Sequence, residues 1–198
     1  MTDNFSKIIP LLRFDTVDDF YFLQILQRKS EHPEMRSNSK VIRNYNIGSV
    51  ERLLDLKDEL IKLCEIFQAR ACIRLNRRSY RKTAFKALIN FSNAMSNQQY
   101  EHCYRAYDRA AGQGHNETPA RWIVDIDTKM NKRELNEIVL FIERECDPIK
   151  AEYTKFVTVL DSKKGYHLIM HPFNVMQFKQ LYPEIEIHKD NPTNCYIP

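Results

Sequence analysis

Trp122-Ile123-Val124-Asp125-Ile126-Asp127 is the stretch on which the fold turns. Its residues alternate, so it reads as a strand with two chemically different faces. Trp122, Val124 and Ile126 share one face; Ile123, Asp125 and Asp127 share the other. Downstream, residues 131–145 place Leu135, Ile138, Val139 and Ile142 at helical spacing. Residues 153–160 read as a strand, 161–165 as a turn and 166–171 as a strand. A short helix over 173–181 and a strand over 184–189 complete the pattern. The order β-α-β-β-α-β is the split unit of ferredoxin-like and RRM-like domains. It predicts a sheet whose first strand is central, touching the third and the fourth.

Upstream, helix and strand alternate. Residues 17–28 carry Phe20, Phe22, Leu23, Ile25 and Leu26 and predict a helix. Residues 32–39 read as a loop and 40–47 as a strand. Ser49 caps a helix with Leu53, Leu56, Leu60 and Leu63 on its apolar side. A strand over 71–75 follows, then a helix capped by Ser79 and running to about Met95. Residues 100–111 suggest a further helix, and 111–118, with two glycines, a loop. The expected class is α/β (α+β) within one 198-residue domain. An N-terminal α/β module, 1–118, precedes an RRM-like half, 119–198.

Composition narrows the function. Hydrophobic residues at 43% suffice for a core, and 28% charged residues fit a soluble chain. Residues 1–14 lack the order of a signal peptide and no long uncharged apolar run follows, so a cytoplasmic protein with no membrane partner is expected. The Lys-, Asn-, Ile- and Tyr-rich composition suits a phage or mobile element acting in a host cytoplasm. The four glycines, Gly48, Gly112, Gly114 and Gly165, allow neither a dinucleotide fingerprint nor a Walker A loop. Phosphate chemistry here must use charge. Cys64, Cys72, Cys103, Cys146 and Cys195 are scattered without a C-x-x-C, so neither zinc nor a disulfide framework is expected.

The net charge of +4 is unevenly spread. Arg70, Arg74, Arg77, Arg78, Arg81, Lys82 and Lys86 follow one another with no acidic residue until Glu101. Thirty basic residues in all leave 23 elsewhere, against 26 acidic ones. Such a block is either a solvated helix face or a surface for a phosphate-bearing partner.

Asp125 and Asp127 project from one face about 7 Å apart. Either they cap the next helix, or they hold a divalent cation that offsets their repulsion. On the third strand, His167 alternates onto the same open face. The turn before it, Asp161-Ser162-Lys163-Lys164-Gly165, offers a hydroxyl and two ammonium groups suited to a triphosphate. Glu186, His188 and Asp190 share one alternation face on the fourth strand. Carboxylates from two adjacent strands, with a His and a Lys pair from the third, fit two-metal phosphoryl or nucleotidyl transfer.

Three segments together resemble the catalytic core of the archaeo-eukaryotic primase superfamily, which includes primase-polymerases and the polymerase domains of bacterial end-joining ligases. A hydrophobic strand ending in D-x-D is matched by residues 122–127. A short s-x-H after a basic turn is matched by 162–168, with Gly165 at the position of the family's serine. A hydrophobic strand followed by an acid is matched by 185–190. The resemblance implies that Asp125, Asp127 and Asp190 bind two Mg2+ or Mn2+ ions, with Glu186 the alternative third acid. It implies that His167, Lys163, Lys164 and Ser162 contact a nucleoside triphosphate, and that Arg74, followed by Tyr80, sits on the family's early strand. The implied activity is template-dependent nucleotidyl transfer on single-stranded DNA. Arg77, Arg78, Arg81 and Lys82 would then track the template, with Tyr80 as a stacking platform. A helicase or accessory subunit is an implied partner. The competing class is a non-catalytic RRM-like single-stranded nucleic-acid-binding module, or a degenerate primase subunit.

Overall fold

The computed structural model describes residues 1–149 and 153–198. The first elements are β1 (Thr2–Asp3), α1 (Phe5–Ile8), a 3-10 turn (Ile9–Leu11), β2 (Asp19–Arg28) and β3 (Ser39–Ile47). They are followed by α2 (Val50–Phe67), β4 (Arg70–Ile73), β5 (Arg78–Ser79) and α3 (Tyr80–Ser96). A 3-10 segment (Tyr100–Arg105) leads into α4 (Ala106–Ala111). The second half runs β6 (Trp122–Ile126), α5 (Lys132–Glu145), β7 (Phe156–Asp161), β8 (Tyr166–Met170), α6 (Val175–Leu181) and β9 (Glu186–His188). A last strand, β10 (Thr193–Ile197), ends the description.

These elements build two antiparallel sheets. One has the order β1-β10-β4-β2-β3, with β5 on β2; the other has the order β7-β8-β6-β9. The second is the arrangement expected from the β-α-β-β-α-β pattern, with β6 between β8 and β9. Val124, Ile126, Leu168 and Met170 pack beneath α5 and α6, against Leu135, Ile138, Ile142 and Phe178. Asn131 and Glu134 form a reciprocal capping box at the start of α5. Ser49 and Ser79 cap α2 and α3 by accepting from the backbone N–H of Arg52 and Lys82. Each such cap contributes about 1 kcal/mol.

Two departures from the expectation bear on the site. Residues 19–28 form a strand where the apolar spacing predicted a helix. Phe20, Tyr21, Phe22, Leu23, Ile25 and Leu26 are all buried. β2 has neighbours on both edges and packing on both faces, so its apolar residues do not alternate with polar ones. A run of that kind is ambiguous between helix and strand. The second departure is β10, where the sequence pattern predicts no strand. It follows the last strand of the four-stranded sheet and inserts between β1 and β4 of the other sheet.

One core joins the two sheets. Ile123, Leu160 and Ile169 lie in the same buried cluster as Leu23, Ile25, Ile73 and the α2 residues Leu53, Leu56 and Leu60. The face of β6 opposite its helices is therefore covered at Ile123 and open towards Asp125. No helix among the described residues is long and apolar enough to cross a membrane.

Candidate active site

Asp125 occupies the middle of the open face. It pairs in register with His167 on β8 and with Glu186 on β9. His167 Nε2 lies 3.4 Å from Asp125 Oδ1, and His188 Nε2 lies 3.6 Å from Oδ2. His188 also stands 3.3 Å from Glu186, so one imidazole spans two carboxylates. Burial pushes the Asp125 carboxyl upward, but hydrogen bonds and charge from His167 and His188 outweigh it and hold it well below the usual range. The Asp125 carboxylate in turn raises His188, against the opposing effect of burial. His167 Nδ1 is 2.8 Å from the hydroxyl of Thr193 on β10, so the other sheet fixes the ring's orientation.

These groups line a cleft of about 430 Å³. Asp127 borders it, exposed at the end of β6. Ser162, Lys163 and Lys164 enter from the β7–β8 turn, and Arg28 and Arg70 from the six-stranded sheet. The turn is seated by Gly165. A Cβ there would lie 1.9 Å from the carbonyl oxygen of Ile126 and under 3 Å from the Thr128 backbone. The family's serine cannot occupy this position without moving the strand end that carries Asp127. The hydroxyl of Ser162 accepts the Gly165 N–H instead.

Glu31 bridges the two walls at the cleft's edge. It accepts from Arg70 Nε at 3.0 Å and from Lys163 Nζ at 2.5 Å. Burial raises the Glu31 carboxyl, and the bonds from Arg70 and Lys163 more than reverse that, leaving it below its ordinary value.

The structure separates several residues that the sequence had grouped. Asp190 does not join Asp125. The chain leaves β9 after His188, so the alternation stops before residue 190. The Asp190 carboxylate is instead taken by Arg78 Nη2 at 2.6 Å, Asn76 Nδ2 at 3.0 Å and Arg74 at 3.7 Å. Arg74 thereby faces Asp190 and does not line the cleft. Arg78 is fully buried and also donates to the carbonyl oxygens of Ala111 and Asn76, so it cannot track a template. Arg77 is engaged by Asp15, Asp19 and Glu117. Arg81 and Lys82 remain exposed at the start of α3. Tyr80, half-buried, stacks on Phe20 at 4.4 Å between centroids.

Glu186 takes the place that Asp190 vacates. Asp125, Asp127 and Glu186 then give the cleft three carboxylates. Among the described residues no three His, Cys, Asp or Glu side chains form a ready-made metal cage. Magnesium commonly uses one or two carboxylates and completes its shell with water and substrate phosphate. Asp125 and Asp127 supply that number, so the donor set suits an ion that arrives with a nucleotide.

Sequence reasoning missed Arg28 and Arg70 as cleft residues, and Glu31 as the carboxylate that links Arg70 to Lys163. Arg28 was placed at the end of a helix, and on β2 it points into the cleft. Arg70 and Glu31 carry no motif; only the pairing of β2 with β4 brings Arg70 to this wall. His188 was on the right face from its alternation with Glu186, and its contact with Asp125 follows from the β6–β9 register. No protein-family model, curated protein or solved structure matches the chain.

Proposed function

We propose that the cleft binds a nucleoside triphosphate with a divalent cation and transfers its nucleotide to a 3′-hydroxyl on a single-stranded DNA template, as a primase or primase-polymerase would. One observation carries the reading: Asp125, Asp127 and Glu186 share a single cleft with Arg28, Arg70, Lys163 and Lys164. Carboxylates and cations lining one cleft suit a metal-bound polyphosphate. The resemblance to archaeo-eukaryotic primases, carried by the D-x-D strand and the turn before His167, supports the same class.

Asp125 and Asp127 would hold magnesium or manganese, with Glu186 beside them. The bound ion supplies Lewis-acid activation of the attacking hydroxyl and neutralises phosphate charge. The protein's own groups do the rest. Lys163, Lys164 and Ser162 bind the phosphate oxygens from the seated turn, and the ammonium groups offset charge on the departing pyrophosphate. His167, oriented by Thr193, presents Nε2 to the same space. Arg28 and Arg70 close the far side. Glu31 keeps Arg70 and Lys163 in place before the triphosphate takes over as their counter-ion.

The test is nucleotide incorporation on primed and unprimed single-stranded DNA, with magnesium or manganese. Wild-type protein should extend, and Asp125→Ala/Asp127→Ala should not. Full activity in the double variant removes the reading. A second reading, a non-catalytic primase-like subunit, is favoured by the capture of Asp190 by Arg74 and Arg78. Under it, a calorimetric titration with manganese and a nucleoside triphosphate gives no heat that depends on Asp125.

A further inference from the structure

We propose that single-stranded nucleic acid lies along a second groove, between the edge strand β3 and the segment formed by the second 3-10 turn and α4. The inference takes from the nucleotidyl-transfer reading only the choice of single-stranded DNA as partner. The groove encloses about 840 Å³. β3 contributes Lys40 and Arg43; the facing segment contributes Tyr104, Arg105, Asp108 and Arg109. Four cations thus face one carboxylate. Arg43 is paired with Glu59 at 2.9 Å. Lys40, Arg105 and Arg109 make no ion pair with a carboxylate among the described residues.

Tyr104 supplies the second requirement. The residue is 72% exposed, and the Arg105 guanidinium lies 5.0 Å from its ring centroid. An exposed ring beside unpaired cations is the combination that binds single strands, with bases stacking and phosphates neutralised. Val41 and Ile42 line the groove beside Ser37, Ser39 and Asn44, so its floor is mixed and not the continuous apolar surface that a membrane would need.

The groove also leads to the cleft. Gln24 of β2 lines the groove, and Arg28, four residues further along, lines the cleft. The irregularity in the β2–β3 pairing is taken up by β3, where Ile25 and Leu26 face Arg43 and Val41. β2 therefore keeps its alternation, and Gln24 and Arg28 share one face about 13 Å apart. A strand held in the groove reaches the carboxylates without crossing the sheet. This places the template away from Arg77 and Arg78, which the fold consumes internally.

The experiment is fluorescence anisotropy of a labelled oligothymidylate at several salt concentrations, without nucleotide or divalent ion. Arg105→Ala/Arg109→Ala should weaken binding at least tenfold and reduce the log–log salt slope by about 0.7 for each cation lost. Tyr104→Ala should weaken it by about tenfold without changing that slope. Lys132→Ala/Arg133→Ala, which removes the same charge from the exposed start of α5, should leave both unchanged. Thermal melts confirm that each variant is folded. Equal losses in the groove and α5 variants, or no binding by the wild type, would overturn the proposal. Equally strong competition by polyglutamate would overturn it in favour of an acidic polypeptide. Failure of nucleotide incorporation with groove-dependent binding intact removes the activity and leaves this surface standing.

Discussion

Arg78 Nη2 stands 2.6 Å from Asp190 Oδ2, and the arginine side chain is only 1% exposed. The pair ties the chain between β9 and β10 to the segment that precedes α3. Removing the carboxylate would leave a buried guanidinium with a lost counter-charge. Asp190→Ala should therefore cost about 3–5 kcal/mol in denaturant unfolding. A metal ligand behaves differently, since its removal relieves repulsion and seldom unfolds the protein. A variant of wild-type stability without activity would return Asp190 to the metal site.

Gly165 makes a similarly sharp prediction. Its Cβ position is occupied by backbone of the β6 end. Gly165→Ala should destabilise by about 1–3 kcal/mol, as overpacking does. It should also raise the KM for nucleotide, because Lys163 and Lys164 shift with the turn. Ser162→Ala, which removes a cap and no backbone space, should do much less. Equal effects from the two substitutions would show that the close approach is unimportant.

Glu31 gives a pH dependence. Its folded-state value lies below the ordinary one near 4.5. A lowered carboxylate contributes stability that is present above its unfolded value and lost as pH falls through the folded one. The stability difference between wild type and Glu31→Gln should be full at pH 7 and shrink progressively below about pH 4.5. Parallel melts across that range measure it. A difference that stays constant with pH would mean the carboxylate charge plays no part.

Thr193 reaches His167 from the other sheet. Thr193→Val keeps the shape and removes the oxygen at 2.8 Å. Activity should fall by about tenfold, the equivalent of one ordinary hydrogen bond. His167→Ala should fall by about 100-fold or more, as for other lost contacts to developing charge. Measuring kcat for both separates ring orientation from ring chemistry. Equal losses would mean that the imidazole works only when Thr193 holds it.

The four-stranded sheet and its helices were legible because the strands alternate and the helices carry one apolar stripe. Val124 and Leu168 under the helices, with Asp125 and His167 opposite, follow from period two alone. β2 was not legible, because burial on both faces erases alternation. The position of Asp190 was misread for a different reason. Alternation holds only while the chain is a strand, and β9 ends at His188. The cationic wall depended on partners far apart in sequence. Nothing local distinguishes Arg70, which lines the cleft, from Arg78, which is buried; their surroundings come from β4 and from Asp190.

β10 has a consequence for how the protein is made. Its residues, 193–197, are synthesised after every other described strand, yet they lie inside a sheet begun by residues 2–3. A nascent chain that stops before them exposes the facing edges of β1 and β4, which invite wrong partners. It also lacks Thr193 beside His167. Long-range closure of this kind is slow compared with local pairing. The Thr193–His167 contact thus forms late, with the same event that seals the sheet.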